Sequence, residues 1–322
     1  GWLGAGIPEK YGGVEMGAEV LCVLAEEIGR VLAPVPFSTS VSLATSAICA
    51  HGSEAQKNDL LPKLAAGEVI GTFALAEGNG DPDASRIKAK VKNGRLSGKK
   101  YPVTDGSIAD FAVVVARDEA NEIGLYFCDL STSGITSTPI ETIDPSRNTV
   151  SFNFENAEVE PLGDAWLGWQ SVQNLLDQAA IILAFEQLGG AQACLEMARD
   201  YAIERYAFGR PIGSFQAVKH KLANVYIASE LARSNAYYGA WALGEYSTEL
   251  SQAAATAHLS ACKAFQLAAR ENIQTHGGMG ITWEADCHMY FRRARTLGLE
   301  IGGPIFWQER LMSQLEQQAL AG

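Results

Sequence analysis

Arg205-Tyr-Ala-Phe208-Gly209-Arg210-Pro211-Ile212-Gly213-Ser214-Phe215-Gln216-Ala-Val218-Lys-His220-Lys-Leu222-Ala-Asn224 is the stretch from which the rest of the chain is read. Gly209, Pro211 and Gly213 interrupt a helical pattern, which predicts the end of one helix, a short turn and the start of another. Ser214 stands where an N-cap belongs, ahead of Phe215, Val218, Leu222 and Val225. Two arginines and Gln216 gather at this turn, beside the positive end of a helix. That combination suits a phosphate or pyrophosphate. It also suits a surface corner whose charges are simply solvated.

Composition sets the bounds around this corner. The chain has 322 residues, 47% hydrophobic and 19% charged, as expected of two or three globular domains. A net charge of −12 excludes a general nucleic-acid or anionic-membrane surface, though not a local basic pocket. No apolar run reaches the roughly 20 residues of a membrane span. The six cysteines (22, 49, 128, 194, 262 and 287) contain no Cys-x-x-Cys pair and read as reduced thiols of a cytoplasmic protein. The histidines show no ligand spacing beyond Asp286-x-His288, so no metal is expected.

Towards the N-terminus, Glu19 to Leu32 reads as a helix ended by Pro34 and Pro36. Ser38 to His51 is a second, Ala/Ser-rich and apolar on most sides, hence buried. Ser53 caps a third from Glu54 to Ala65, stopped by Gly67. From about Ile70 the period changes. Ile87 to Lys92 alternates and Asn93-Gly94 marks a hairpin turn. Phe111 to Ala116 and Gly124 to Leu130 are apolar strands, and Val150, Phe152 and Phe154 alternate again. Helical character returns at Trp166. The order of helices, strands and helices means segregated layers, an α+β multi-domain chain. It comprises a helical N-terminal part (1–69), a central antiparallel β domain (70–163) and a C-terminal four-helix-bundle-like domain (164–322).

Arg205-x-x-Phe208-Gly209-x-Pro211-Ile212 with Phe215-Gln216-x-x-x-His220-x-Leu222-Ala223 resembles the helix corner of acyl-CoA dehydrogenases. The resemblance extends over nearly the whole chain. It implies that Arg205 and Gln216 reach across a subunit interface to the neighbour's FAD, with Phe208 and Ile212 in the same contact. Gln274-Thr-His276-Gly277-Gly278-Met279-Gly280 ends a helix with three glycines in four positions. A C-cap explains some of this; close backbone approach to a ligand explains more. The segment resembles the one that meets the partner's FAD pyrophosphate, which places Gln274, Gly277, Gly278 and Gly280 in one composite site with the corner. His276 reads as a packed or capping residue.

The flavin-facing half departs from the family pattern. Phe73-Ala74-Leu75-Ala76-Glu77-Gly78-Asn79-Gly80-Asp81 resembles the signature in which a Thr or Ser precedes Glu. Here Ala76 replaces that hydroxyl residue, Asp81 falls near a serine that meets phosphate, and the loop is one residue short. An acid beside a phosphate is unfavourable. In Gly98 to Gly106, Thr104 matches the threonine packed by the flavin ring, and Pro102 stands where an aromatic is usual, so that wall is either absent or supplied by Tyr101. Trp283-Glu284-x-Asp286-x-His288-x-Tyr290-x-Arg292-Arg293-Ala294 resembles a branch known from bacterial steroid and branched-substrate catabolism; its charges read as inter-helix ion pairs. The opening Gly1-Trp2-Leu3-Gly4-x-Gly6-Ile7-Pro8 resembles a stretch that normally follows about two helices, which implies a fragment lacking its natural N-terminus.

The reaction implied is FAD-dependent α,β-dehydrogenation of an acyl-CoA thioester. It needs a carboxylate base in an apolar pocket. The two family positions for that glutamate correspond to Ile301 and Ala179. The remaining carboxylates on or near these elements are Asp177, Glu186 and Glu300, of which Glu186 and Glu300 are the candidate replacements. Glu186, in Ala184-Phe-Glu-Gln-Leu-Gly-Gly190, is equally suited to pairing with a bundle arginine. Glu300 is one residue out of register. Three readings follow: a dehydrogenase with a displaced base; a non-catalytic partner subunit completing the FAD site of a homologous chain in an α2β2 tetramer, as opposed to a homodimer or homotetramer; or another flavin activity, such as an oxidase.

Overall fold

The computed structural model describes residues 1–163, 168–245 and 247–321; the expected return of helix at Trp166 lies outside them. The chain packs as two compact units, one of Gly1–Leu21 with Pro34–Ala179 and one of Cys22–Ala33 with Ala180–Gly322.

In the first unit, the buried Ala/Ser-rich stretch forms as expected, with one difference. Phe37–Thr45 is wound as a π-helix before continuing into α2 (Ser46–His51). Thr45 Oγ1 donates to Ser40 O at 2.8 Å, a side-chain bond that competes with α-helical bonding. α3 (Glu54–Ala66) has the full capping box between Ser53 and Gln56 and stops at Gly67 in the left-handed conformation.

The strands β1 (Gly71–Ala74), β2 (Lys90–Lys92), β3 (Arg95–Thr104), β4 (Phe111–Arg117), β5 (Ile123–Asp129), β6 (Ile135–Pro139), β7 (Thr149–Glu158) and β8 (Glu160–Pro161) form one sheet, ordered β6-β7-β3-β2-β4-β5-β8 with β1 beside β4. Asn93 and Gly94 take positive φ and close the β2–β3 hairpin, as their sequence dictates. The expected antiparallel character holds for most of the sheet, but β1 runs parallel to β4, as does the single β2–β4 pair. Alternation reports which face a residue takes and is silent on strand direction. Leu96, Val114, Tyr126, Phe152 and Phe154 fill the core of this face.

The second unit is helical. It holds α4 (Gly168–Glu204) from Ala180 onward, α5 (Gln216–Gly244), α6 (Leu250–His276), α7 (Cys287–Leu297) and α8 (Pro304–Ala321), and α5 and α6 bury small residues. Ala232, Ala236 and Ala240 line the inner face of α5, and Ala253, Ala257, Ala261 and Ala264 that of α6. The end of α1 (Gly17–Arg30) crosses α4 at backbone contact. A Cβ on Gly29 would stand 1.8 Å from the carbonyl oxygen of Glu186, and one on Gly189 would stand 1.8 Å from that of Glu26. Ion pairs Glu26–Arg233 at 2.6 Å and Arg30–Glu196 at 2.9 Å flank the crossing, and Tyr290 donates to Arg30 O.

Candidate functional site

The corner after α4 is more ordered than a plain turn. Tyr206–Ala207 and Arg210–Pro211 pair as a two-residue ribbon (β9 and β10) closed by Phe208 and Gly209, both at positive φ. Gly209 adopts φ > 0 freely; Phe208 does so at a steric cost, which singles out its position. Its ring is 95% exposed and touches Phe215 edge-on at 6.1 Å. The Arg210 guanidinium lies 4.1 Å over the Phe215 ring. Ile212 N donates to Arg205 O at 2.8 Å, closing the corner. The expectation for Ser214 fails: the residue before α5 is Phe215, without a side-chain cap, and Ser214 Oγ turns back to Pro211 O at 2.7 Å. Residues Ile212–Ser214 wind a tight turn of their own, so the helix starts one position later.

The glycine bend meets this corner at the same end of the helices. His276, the last residue of α6, stacks on Tyr201 of α4 at 4.2 Å, and its Nδ1 lies 2.9 Å from Asn272 O. It is thus the packed residue its sequence suggested. Arg205, Phe208, Gln216, Gln274, Gly277 and Gly278 are all exposed there and Ile212 is half-buried. Gly277 sits at φ +60, and a Cβ on Gly277 or Gly278 would meet nothing within 4 Å, which leaves the backbone open to a ligand. Gly280 differs: it is buried, and a Cβ there would lie 2.6 Å from Ile273 O, so close packing alone requires this glycine.

Ala76 and Thr104 both belong to the first unit, each held by its own backbone contact. Tyr101 N donates to Ala76 O at 2.8 Å and Thr72 Oγ1 donates to Thr104 O at 2.8 Å. Both are half-buried. Immediately after Thr104, Asp105 takes φ +57 and its buried carboxylate accepts both Nε and Nη2 of Arg147, with Thr39 Oγ1 at 2.6 Å. Arg147 also reaches Ser38 Oγ at 3.0 Å. This network fixes the turn carrying Thr104 against the π-helix. Pattern reading missed it, because none of its members is adjacent in sequence.

The two positions for a family glutamate are apolar and buried, Ala179 at 0% and Ile301 at 2% exposure. Glu186 is also buried, with Oε1 3.1 Å from Arg293 Nη1, and the two side chains are 2% and 1% exposed. Glu300 is half-buried after α7. Arg292 lies over the Trp283 ring at 5.2 Å and Trp283 meets His288 edge-on at 4.6 Å. The Trp283–Ala294 charges thus divide between an inter-helix ion pair at Arg293 and a cation–π contact at Arg292. Among the described residues no cluster of three His, Cys, Asp or Glu side chains could hold a metal, and no helix is long and apolar enough to cross a membrane.

Comparison with known proteins agrees with this geometry. The family models for the acyl-CoA dehydrogenase N-terminal and C-terminal domains match residues 1–68 and 167–303. The chain is 33% identical over 309 residues to acyl-CoA dehydrogenase IpdE2 of Mycobacterium tuberculosis, covering 96% of this chain and 81% of that one. Its fold superposes on a variant of the Tcur3481-Tcur3483 steroid ACAD with a TM-score of 0.89 at 31% identity, covering 99% of this chain and 87% of that one. It also superposes on the ChsE4-ChsE5 complex of Mycobacterium tuberculosis with a TM-score of 0.88 at 27% identity, over 98% and 87% of the two chains. With the corner, the glycine bend and the three-part order of elements in place, the chain belongs to the acyl-CoA dehydrogenase family, whose members are FAD-dependent enzymes that dehydrogenate acyl-CoA thioesters.

Proposed function

We propose that this chain carries out its α,β-dehydrogenation within an oligomer, where its Arg205 corner and its Gln274–Gly280 bend grasp an FAD seated on a second chain. The observation behind this reading is the joining of the two motifs at one end of the second unit through the Tyr201–His276 stack. Their ligand-facing groups, a guanidinium, two side-chain amides and an open glycine backbone, are exposed. The residues present fit the cofactor: Arg205 would neutralise pyrophosphate, and Gly277 and Gly278 leave room for it. Bound FAD would supply the hydride acceptor. A second exposed surface supports assembly: Ile227, Leu231, Tyr238 and Trp241 form an apolar stripe on α5 opposite its buried alanines, and a helix apolar on both faces fits one covered by another chain. The six free thiols favour a reducing, cytoplasmic setting.

The source of the base divides two versions of this reading. In the first, Glu300 takes the α proton; Glu186, held by Arg293, is the poorer candidate. In the second, the carboxylate belongs to a homologous chain, and this one completes that chain's FAD site. The apolar, buried Ala179 and Ile301 favour the second. The bulky-substrate branch resembled by Trp283 to Ala294 suggests a large acyl group for either.

Expression of the chain alone and with a homologous chain, followed by absorbance spectroscopy and sedimentation, tests the proposal. A yellow oligomer bleached by an acyl-CoA supports the first version. A colourless chain that gains flavin only with its homologue supports the second. Arg205→Met should strip flavin in either case. A flavin-binding monomer, unaffected by that substitution, would overturn both.

A further inference from the structure

A buried ion pair in the first unit, between Lys100 and Glu77, fastens the loop 75–81. Lys100 on β3 carries its ammonium inside, at 0% exposure. The ammonium donates to Leu75 O at 3.0 Å and to Glu77 Oε1 at 2.7 Å. Glu77, 7% exposed, also accepts the backbone N–H groups of Lys88 on Oε2 at 2.7 Å and of Ala89 on Oε1 at 3.0 Å. One carboxylate thus ties together the loop, β3 and the approach to β2. Backbone bonds extend the fastening: Gly78 N donates to Tyr101 O at 2.9 Å, and Arg86 Nη1 donates to Asn79 O at 2.9 Å.

Lys100 stands in the inward phase of β3 set by Leu96, where a leucine would pack without the cost of desolvating a charge. A buried ion pair adds little to stability over such an apolar side chain, but it can specify one conformation. The conformation it specifies here is the backbone of residues 76–78, which resembles the flavin-contacting signature of the family.

We infer that Glu77 and Lys100 are positioning residues that hold the backbone of Ala76 to Gly78 in the form that receives the flavin. This rests on the FAD-binding role proposed above. Burial pushes the Lys100 ammonium down to about 8. Its folded value lies below that of an unfolded lysine, so between about pH 8 and 10.5 the unfolded chain holds more protons and the unfolding free energy it contributes rises with pH. Over the same window the ammonium that ties Glu77 is lost. Stability and loop order therefore move in opposite directions, whereas a lysine with only a structural role changes stability alone. Other charged groups around the loop are Arg86, Lys88, Lys99 over the Tyr101 ring, and Asp81 and Asp83 of the loop itself. Asp83 is held below the usual carboxylate range by hydrogen bonds from Ser85 and stays ionised throughout.

The test uses the full chain, with its homologue where flavin retention requires one, as wild type, Glu77→Gln and Lys100→Met. Hydrogen exchange at the amides of Gly78, Lys88 and Ala89 is measured without FAD, and the FAD dissociation constant is measured from about pH 6.5 to 9.5. Wild type should lose about tenfold in FAD affinity, and exchange faster at these amides, as the pH passes 8, the scale of one charged hydrogen bond. Lys100→Met should bind about tenfold more weakly than wild type below pH 8, show no step, and converge with wild type near pH 9.5. Binding within twofold of wild type below pH 8, together with unchanged exchange in Lys100→Met, would overturn the inference. If wild type takes up no FAD in any assembly, the functional proposal fails; exchange then decides the pair by itself, faster exchange in Lys100→Met upholding the fastening and unchanged exchange refuting it.

Discussion

Neutralising Glu186 separates a structural from a catalytic carboxylate. In the structure Glu186 Oε1 meets Arg293 Nη1 at 3.1 Å between α4 and α7, with both side chains almost wholly removed from water. The carbonyl oxygen of Glu186 is also the atom that Gly29 of α1 must approach. Removing one member of such a pair costs about 3–5 kcal/mol, because the remaining buried charge loses an ionic contact. Glu186→Gln and Arg293→Met should each lose about that much, while the double variant, which buries neither charge, should recover most of it. The coupling energy should then exceed about 2 kcal/mol. Urea unfolding followed by circular dichroism, at one protein concentration because assembly contributes, gives the three differences. Deuterium uptake at the α carbon of an acyl-CoA, measured well below the unfolding transition, supplies the catalytic readout. The structural reading expects Glu186→Gln to keep that exchange in the assembled protein. Two single variants that each cost under about 1 kcal/mol and combine additively, with exchange abolished by Glu186→Gln, would refute it and make Glu186 the base.

Further outcomes follow from packing and burial. Gly29→Ala puts a methyl group 1.8 Å from the Glu186 carbonyl oxygen, so α1 and α4 must separate; a loss of about 3 kcal/mol in urea unfolding is expected, and a neutral result would mean that the helices are not in backbone contact. His258 is buried against Trp307 at 5.2 Å with Nε2 3.4 Å from Cys262 Sγ, and burial pulls its imidazole down to about 4. The unfolded chain binds a proton here between about pH 6.5 and 4, so stability present above 6.5 is lost as the pH falls, about 3 kcal/mol in all. His258→Phe should flatten that part of the stability–pH profile, and an unchanged slope would exclude His258 as its source.

Elements governed by local chemistry were legible in the chain. The Ser53 capping box, the stop at Gly67 and the Asn93-Gly94 hairpin each satisfy a backbone need within a few residues, so composition reveals them. Ser214 does not cap α5, because the cap position depends on whether Ile212–Ser214 winds a turn, which the residues on either side do not dictate. Lys100 could have been noticed: a lysine in phase with Leu96 on an alternating strand has to find a buried partner. Its partner, Glu77, lies 23 residues away, and nothing in the spacing points to it.

Sequence alone determined the order of helices, strands and helices, and the composition of the Arg205 corner and the glycine bend, because periodicity and turn residues act over short range. Only the tertiary structure joined the corner to the bend through Tyr201 and His276, turned β1 parallel to β4, and paired Glu186 with Arg293 across 107 residues. Those contacts depend on which surfaces are buried against each other, and a linear pattern records burial without recording the partner.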